Sequence, residues 1–247
     1  MALSIIIPTL NEEKYLGALL KSLLDQRLKT AYEVIIVDAS PNERTARAAN
    51  QYADAIPLKV TTSPVADTGT QRNIGARLAR HEHLLFLDAD VVLGDGVLHR
   101  CLRRLNPDEL HIVSVRHRAD HSTTGVRATL VFIYFLILLA RLAGLPVTNG
   151  DCLLTNRRTF QATGGFKEGF LLGEDTDFGM RACRLGARHS IEWRAFVIAS
   201  SRRLSVTPAW KLALTWATAY TRVIRGKGPT GARPDDESYP YGRWCGP

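Results

Sequence analysis

Hydrophobic residues in the first part of the chain fall into two patterns that alternate. Nearly continuous apolar runs, which are typical of strands buried on both faces, occupy residues 4–8, 33–38 and 84–88, and residues 58–62 are a further short predicted strand. Segments with helical spacing separate these runs, at residues 16–24, 43–53 and 68–80. Asn11 stands ahead of the first segment and is a residue type that can cap a helix. The alternation predicts an α/β fold with a mainly parallel, Rossmann-like sheet that helices cover on both faces.

The second half of the sequence is less regular but has the same kinds of element. Residues 110–115, 147–155 and 191–200 are predicted strands. Residues 174–186 are a predicted helix, and residues 160–166 are a helix or a loop.

Two further segments have a composition of their own. Residues 128–140 carry no charge, and residues 208–225 form an amphipathic helical pattern with basic residues opposite its apolar stripe. Glycine, proline and charged residues dominate after this helix. We therefore expect one folded domain over residues 1–205, followed by the amphipathic helix and a basic tail over residues 206–247.

Composition narrows the class of protein. The 247 residues are 45% hydrophobic and 23% charged, as in a globular domain with a sizeable core. The four cysteines include no Cys-x-x-Cys pair, so neither a disulfide framework nor a cysteine metal cluster is expected, and a reducing cytosol is the simpler environment. No signal peptide is predicted at the start of the sequence.

The net charge of +8 is concentrated towards the end of the chain. From Arg194 onward there are nine Lys and Arg residues and three acids. Such an excess is typical of a surface that meets lipid headgroups, a phosphorylated acceptor or nucleic acid. A solvated surface that only keeps the protein soluble would have the same composition.

Acidic side chains follow two of the predicted strands. Asp38 ends one strand, and Asp88 and Asp90 come directly after another. Ligands of open parallel sheets bind beyond the carboxyl ends of the strands, so these carboxylates are expected at one site. Hard oxygen ligands suit Mg²⁺ or Mn²⁺, which complete their coordination with phosphate oxygens and water. The alternative is that Asp88 and Asp90 end the strand and cap a helix beginning near Asp95.

A third acidic group, Glu174, Asp175 and Asp177, opens a predicted helix. Acids in a first helical turn satisfy free backbone N–H groups and the helix dipole, so capping explains one or two of them. Three acids in four residues exceed what capping requires. Together with the two acid-tipped strands, they favour a functional role.

Six segments, in this order, resemble the motifs of family-2 glycosyltransferases of the GT-A fold. They are Ser4-Ile-Ile-Ile-Pro-Thr-Leu-Asn-Glu-Glu13, Val37-Asp-Ala-Ser40, Arg72-Asn-Ile-Gly75, Phe86-Leu-Asp-Ala-Asp90, Gly164-Gly-Phe166, and Glu174-Asp-Thr-Asp-Phe178 with Arg181. The resemblance covers roughly residues 3–203. It implies a nucleotide-sugar half over about residues 1–115 and an acceptor half over about residues 116–205. The implied reaction is inverting transfer of a sugar from a nucleotide-diphosphate donor to the hydroxyl of a glycan or lipid-linked acceptor.

The resemblance implies roles for residues on the nucleotide side of the site. Pro8, Thr9 and Glu12 would line the nucleotide pocket, and Asp38 would contact the base or the ribose. Arg72 would also support the nucleotide, although an arginine on a helix is more often simply solvated.

At the reacting end, the resemblance implies a divalent cation, Mn²⁺ or Mg²⁺, as the cofactor. Asp90 would be its main ligand and Asp88 a second one, and Asp88 with Ala89 would lie beside the ribose and diphosphate. Asp175 would be the general base that deprotonates the acceptor, and Glu174 would orient Asp175 or the acceptor.

The sequence departs from the family pattern in two places. Val37-Asp-Ala-Ser40 stands where many members carry paired aspartates and a glycine. The Gln-x-x-Arg-Trp segment of processive synthases is not seen, and Ser200-Ser-Arg-Arg203 stands in its neighbourhood. We therefore expect transfer of one sugar per encounter. Arg202 and Arg203 could contact a phosphate or form a plain surface pair.

The uncharged segment 128–140 bears on a membrane contact. Its thirteen residues would make a helix of about 20 Å, against a hydrocarbon core of roughly 30 Å, so it is too short to span a bilayer. An interfacial helix would have this composition, as would a helix in the core. With the amphipathic segment 208–225, it favours peripheral association with the cytoplasmic face of a membrane; burial of both helices is the alternative.

Three other classes of function remain open. A sugar-nucleotide pyrophosphorylase uses a related sheet, but its N-terminal loop needs glycines and a cation, whereas residues 8–14 are acidic and lack glycine. A catalytically inactive relative that binds nucleotide sugars is a second alternative, which intact Asp90 and Asp175 disfavour. The basic tail raises nucleic-acid binding, but no recognition motif supports it, and no nucleic-acid partner is expected.

Overall fold

A computed structural model describes residues 2–120, 135, 138–139, 148–170, 172–200 and 209–226. The strands with described bounds are β1 Leu3–Thr9, β2 Tyr32–Asp38, β3 Leu58–Thr62, β4 His83–Leu87, β5 Val91–Leu93, β6 His111–Ala119, β7 Cys152–Asn156 and β8 Arg188–Ala199. The helices with described bounds are α1 Leu16–Asp25, α2 Arg44–Asn50, α3 Thr68–Leu78, α4 Val97–Arg104, α5 Arg157–Thr163, α6 Glu174–Arg184 and α7 Ala209–Ile224. Residues 135, 138 and 139 are also helical.

All eight strands form one sheet in the order β3-β2-β1-β4-β7-β6-β8-β5. Strands β1 to β4 run parallel to one another, whereas β7 and β5 are antiparallel to their neighbours. The chain adds β2 and β3 on one side of β1 and then places β4 on the other side. Open α/β sheets bind their ligands at such a reversal of strand order, here between β1 and β4.

Pro8 separates the ends of β1 and β4 at this reversal. The backbone carbonyl of Thr9 accepts a hydrogen bond from Ala39 beyond β2 (2.9 Å), so the preceding residue, Pro8, faces β4. Proline has no N–H to donate, and pairing of β1 with β4 ends at Ile6 opposite Phe86. The carboxyl ends of the two strands can therefore diverge and leave a crevice.

Alternate residues of the central strands pack into two hydrophobic layers. Ile5 and Ile7 pack in the layer that includes α1 and α4, and Ile6 packs in the layer that includes α3, α5 and α6. Gly75 lets α3 lie directly on β1, because a Cβ at this position would collide with Ile6. Burial on both faces explains why the strands are continuous apolar runs. The predicted fold class is confirmed.

The helix α7 packs on the body of the domain through its C-terminal end. Val223 is buried with Phe170 and with Met180 of α6. Leu214, in the middle of α7, is 58% exposed. Within the described part of the chain, no helix combines the length and the apolar content needed to cross a bilayer.

The predicted role of Asn11 as a helix cap is wrong. Asn11 has a φ of 55°, and α1 begins at Leu16 after Tyr15. The N–H of Asn11 donates to the hydroxyl of Ser40 (2.8 Å), so this residue turns the chain towards the end of β2. Asparagine tolerates the left-handed conformation that such a turn requires.

Other predicted elements are found with small shifts of their ends. Residues 160–166 overlap a helix, α5, and the strand predicted at 147–155 begins only at Cys152. Strand β5 was not expected, because three residues are too short an apolar run to read as a strand. The greater part of 128–140 and all of 227–247 lie outside the described residues.

Candidate active site

The guanidinium of Arg72 lies at the centre of the candidate site. Arg72 belongs to α3 and is only 1% exposed. Its Nη2 donates to Asp88 Oδ1 (2.7 Å) and to the carbonyl of Gly150 (3.1 Å), and its Nη1 donates to Glu174 Oε1 (2.8 Å). The guanidinium carbon lies 5.2 Å from the centre of the Phe166 ring. One side chain therefore joins the end of β4, the start of α6 and the segment before β7.

Gly150 leaves the space that this arrangement needs. A Cβ on Gly150 would lie 2.8 Å from Arg72 Nη2 and 3.3 Å from the Cβ of Asp175. The hydroxyl of Thr148 donates to the backbone carbonyl of Asp175 (2.6 Å), which holds the start of α6 against the same segment. Asp175 thus lies beside the Arg72 cluster. Arg72 is buried, unlike the solvated helix arginine that the sequence left as an alternative.

The carboxyl groups around Arg72 have shifted pKa values. Removal from water, reinforced by the carboxylate of Glu174, raises the pKa of Asp175 to about 8, although Arg72 opposes this. Removal from water also raises the pKa of Glu174, with Arg72 again opposing. Burial alone would lower the pKa of Arg72, but the carboxylates of Asp88, Glu174 and Asp175 outweigh it and raise that pKa. Arg72 therefore stays charged among three carboxyl groups.

A second polar cluster joins the ends of β1 and β2. Asp38 is 5% exposed, and its Oδ1 accepts from the hydroxyls of Thr9 (2.9 Å) and Ser40 (2.6 Å). Gln71, on α3, donates to the carbonyls of Thr9 (2.8 Å) and Val37 (2.7 Å). Ser40, which belongs to the departure from the family pattern, holds the carboxylate of Asp38 in place.

The remaining residues predicted on the nucleotide side lie at the same edge. Pro8 is buried in β1, and the N–H of Glu12 donates to the hydroxyl of Thr45 (3.1 Å) at the start of α2. Gln71 contacts the Thr9–Asp38 cluster, and the adjacent Arg72 contacts Asp88 and Glu174. Helix α3 therefore connects the two clusters.

Asp90 and Ala89 follow Asp88 directly. Ala89 is 4% exposed, and the carbonyl of Asp90 accepts from the N–H of Ser200 (3.1 Å), which ties this turn to the end of β8. Among the described residues, no group of three or more His, Cys, Asp and Glu side chains could hold a metal ion. An ion that is bound by one or two carboxylates and by substrate phosphates needs no such group. The donor set of Asp88 and Asp90 therefore fits Mg²⁺ or Mn²⁺.

The acidic cluster at the start of α6 is divided between two roles. Asp177 pairs with Lys167 (3.2 Å) and with Arg181 (2.6 Å), and Arg181 also donates to the carbonyls of Thr163 and Gly165. Asp177 therefore holds the turn after α5 against α6. Glu174 and Asp175, in contrast, adjoin Arg72 and the segment before β7.

Sequence analysis did not identify residues 148–151 as part of the candidate site. Gly150 and Thr148 make the contacts described above, and the carbonyl of Asp151 accepts from the N–H of Asp88 (3.2 Å). The Asn149 side chain lies 3.1 Å from His117 on β6. A run of polar residues directly before a buried strand was the available signal, but it has no periodicity and matches no motif.

The sequence profile described as "Glycosyl transferase family 2" matches residues 4–164. The match contains β1 to β4, the Thr9–Asp38 cluster, Arg72 and the Asp88-Ala-Asp90 turn, and it ends before Glu174 and Asp175. This chain belongs to glycosyl transferase family 2.

Curated relatives share part of this sequence. The chain is 37% identical to the poly(ribitol-phosphate) β-N-acetylglucosaminyltransferase TarS of Staphylococcus aureus (strain Mu50 / ATCC 700699) over 93 residues. These residues make up 36% of this chain and 16% of TarS. Over 185 residues the chain is 27% identical to an uncharacterized glycosyltransferase of Haemophilus influenzae (strain ATCC 51907 / DSM 11121 / KW20 / Rd), covering 71% of this chain and 60% of that protein. The matched region is therefore a small part of TarS.

Solved structures share the fold. The mannosyltransferase PcManGT from Pyrobaculum calidifontis, in complex with GDP-Man and Mn²⁺, superposes with a TM-score of 0.72 at 19% identity, over 97% of this chain and 69% of that one. S. aureus TarS 1–349 in complex with UDP-GlcNAc has a TM-score of 0.62 at 19% identity, over 92% of this chain and 71% of that one. At these identities the likeness establishes the GT-A fold.

Proposed function

We propose that this chain is an inverting glycosyltransferase that moves one sugar at a time from a nucleotide-diphosphate donor to an acceptor hydroxyl. The observation that carries the proposal is the placement of Asp88, Glu174 and Asp175 around Arg72, at the reversal of strand order and next to the Thr9–Asp38 cluster. A donor at this edge would have its nucleotide at one cluster and its sugar at the other.

In the proposed reaction, the acceptor oxygen forms a bond to the anomeric carbon while the bond from that carbon to the diphosphate breaks. Asp175 accepts the acceptor's proton, and the diphosphate leaves with the electron pair of the broken bond. Arg72 fixes Glu174, which in turn lies directly before Asp175 on α6. Thr9, with Pro8 and Glu12 nearby, would contact the nucleotide.

Asp90, with Asp88, would hold the divalent cation. When bound, Mg²⁺ or Mn²⁺ supplies positive charge that stabilises a departing diphosphate. The Mn²⁺ in the related structure with GDP-Man supports this assignment.

The pH dependence of transfer follows from the role proposed for Asp175. Only the ionised carboxylate can accept a proton, and the pKa of Asp175 is raised to about 8. The rate at low substrate concentration is therefore expected to rise with pH and to level off above about pH 8. Because Glu174 raises this pKa, Glu174→Gln should move the midpoint of the profile to lower pH. A profile that is flat from pH 6 to 9 in both proteins would remove Asp175 as the base.

A glycan or lipid-linked acceptor, reached by peripheral contact with the cytoplasmic face of a membrane, is the second part of the proposal. Two curated relatives are named as transferases that act on poly(ribitol-phosphate), which supports a polymeric acceptor. The exposed Leu214 and Lys211 on α7 support an interfacial contact. The chain is expected to float with anionic phosphatidylglycerol vesicles and not with neutral phosphatidylcholine vesicles. Failure to float with either would rule the membrane contact out.

Thermal unfolding with UDP, GDP, CDP and TDP, each with and without Mn²⁺, tests nucleotide and metal binding together. At a hundredfold excess over Kd a ligand stabilises by about 2.7 kcal/mol, which corresponds to a rise in Tm of roughly 5–10 °C for a domain of this size. We expect one nucleotide to produce this rise, to require Mn²⁺, and to lose its effect in Asp90→Asn.

Asp95→Asn is the matched control, because Asp95 is an exposed aspartate shortly after the Asp88-Ala-Asp90 turn. This variant should keep the full response. A response that is the same in Asp90→Asn and in wild type would contradict the metal assignment, and no response to any nucleotide would contradict the proposed function.

A further inference from the structure

A third polar cluster adjoins the Arg72 site and has no part in the reaction as proposed so far. His117 lies in the second half of β6, after the irregularity in pairing with β8 between Val115 and Arg116. Its Nδ1 is 3.1 Å from Asn149 Nδ2 and 4.0 Å from Asp151 Oδ2. Asn149 and Asp151 stand on either side of Gly150, so their side chains emerge together towards His117.

The backbone of this segment is fixed at three points to residues of the candidate site. Thr148 is bonded to the carbonyl of Asp175, the carbonyl of Gly150 to Arg72, and the carbonyl of Asp151 to the N–H of Asp88. The cluster therefore has a defined position between the end of β4 and the start of α6. That position is where the anomeric carbon and the attacking hydroxyl must meet in the proposed reaction.

The side chains of this cluster are within reach of a ligand. The side chain of Asp151 is 30% exposed and that of His117 is 17% exposed. The carboxylate of Asp151 also contributes to the raised pKa of Asp175, so the two carboxyl groups are within electrostatic range of each other.

The chemistry of the cluster suits the hydroxyl groups of a sugar. A carboxylate accepts from two O–H groups, and an amide both donates and accepts. The Asn149 amide and the His117 imidazole lie at hydrogen-bond distance, and each of these side chains carries both donor and acceptor capacity. Planar side chains with several donors and acceptors are what recognition of adjacent hydroxyls requires.

We propose that His117, Asn149 and Asp151 bind the ring hydroxyls of the sugar that lies beside Asp175, and so select which sugar reacts. This inference rests on the proposed function and adds the residues that set its specificity. The sugar is either the one carried by the donor or the one on the acceptor, and the same chemistry serves both. A site built to hydrogen-bond a hydroxyl discriminates strongly against a sugar that lacks it, because its buried polar groups are then left unpaired.

Asp151→Asn tests the proposal, because it keeps the shape of the side chain and removes a charged acceptor. The wild type and the variant are titrated calorimetrically, in Mn²⁺, with UDP and GDP and with UDP-GlcNAc and GDP-mannose as probes. Affinity for the nucleoside diphosphate is expected to change less than twofold, while affinity for the matching nucleotide sugar falls at least tenfold. Asn149→Ala should produce the same selective loss.

A second arm identifies which sugar is bound. If the cluster binds the acceptor, Asp151→Asn keeps its affinity for the nucleotide sugar, and transfer to a panel of glucose, galactose, mannose and N-acetylglucosamine falls at least tenfold. Asp108→Asn, the same change at an exposed residue, is the control for both arms. Equal binding and transfer in Asp151→Asn and Asp108→Asn would overturn the proposal.

The failure of the inference can be separated from failure of the proposed function. A wild type that binds no nucleotide sugar contradicts the proposed function, and this inference with it. A merely structural role for Asp151 would give a different result. The backbone of Asp151 holds Asp88, so a disturbed segment would lower the affinity for the nucleoside diphosphate as much as the affinity for the nucleotide sugar. That result would also overturn the proposal.

Discussion

Replacing Asp175 with asparagine is expected to lower kcat by about 10²–10⁴-fold, the usual contribution of general acid–base catalysis. Asparagine keeps the shape of the side chain but cannot take a proton from the acceptor. The Thr9–Asp38 cluster, where we propose that the nucleotide binds, belongs to other elements, so affinity for the nucleoside diphosphate should be nearly unchanged. Initial rates at saturating donor, with calorimetric titration of the nucleotide, measure the two effects.

The same substitution is expected to stabilise the fold at alkaline pH. The folded pKa of Asp175 is about 8 and its ordinary value is 3.8, so between these values the folded protein holds a proton that the unfolded chain has lost. The free energy of unfolding of the wild type therefore falls as pH rises through this range, whereas asparagine is unaffected. Asp175→Asn should have a higher Tm than wild type at pH 8.5, and the difference should shrink towards pH 5.

Asp177→Asn is the matched control within the same acidic cluster. Asp177 pairs with Lys167 and Arg181 and holds α6 to the turn after α5, so its loss should lower Tm. The folded fraction of this variant should retain a kcat close to that of wild type. If both variants lost activity in proportion to their loss of stability, a specific role for Asp175 would be contradicted.

Arg72→Met is expected to produce the largest loss of stability. Methionine replaces the apolar stem of arginine but leaves Asp88 and Glu174 without the cation that both now contact. Removing one partner of a buried ion pair costs about 3–5 kcal/mol, which corresponds to a fall in Tm of roughly 6–20 °C for a domain of this size. Because Arg72 lowers the pKa values of Glu174 and Asp175, both carboxyl groups should protonate more readily in the variant, and the loss should be smaller at pH 5 than at pH 8.

Arg47→Met supplies the comparison for an arginine in an exposed ion pair. Arg47 and Glu43 are 76% and 79% exposed and lie 3.3 Å apart on one helical turn. Exposed pairs contribute at most about 1 kcal/mol, so Tm should change by no more than roughly 4 °C. A similar small change in Arg72→Met would show that Arg72 does not hold the site together.

The placement of Thr9 and Asp38 at one edge of the sheet could be predicted because both positions are marked locally in the sequence. Thr9 and Asp38 end two apolar runs, and parallel strands bring their carboxyl ends to the same edge. The same reasoning put Asp88 and Asp90 beyond the end of β4. In each case the signal lies within a few residues of the strand.

The contacts of Arg72 could not be predicted in the same way. Glu174 lies 102 residues from Arg72 in the sequence, and no periodicity relates the two. Their meeting depends on the packing of α3 and α6 on one face of the sheet and on the absence of a side chain at Gly150. For Asn11, the local propensity to cap a helix gave a wrong prediction. Its backbone N–H instead donates a hydrogen bond to Ser40, which follows the end of β2.

The most direct test of the proposed function is the release of nucleoside diphosphate from nucleotide sugars. The chain is incubated with UDP-GlcNAc, GDP-mannose and other common nucleotide sugars in Mn²⁺, with the monosaccharide panel as acceptors, and the products are identified by mass spectrometry. We expect wild type to turn over one donor to a nucleoside diphosphate and a glycosylated acceptor, and Asp175→Asn to bind this donor with little turnover. Formation of a nucleotide sugar from a sugar phosphate and a nucleoside triphosphate, or binding of donors without any turnover by wild type, would contradict the proposed function.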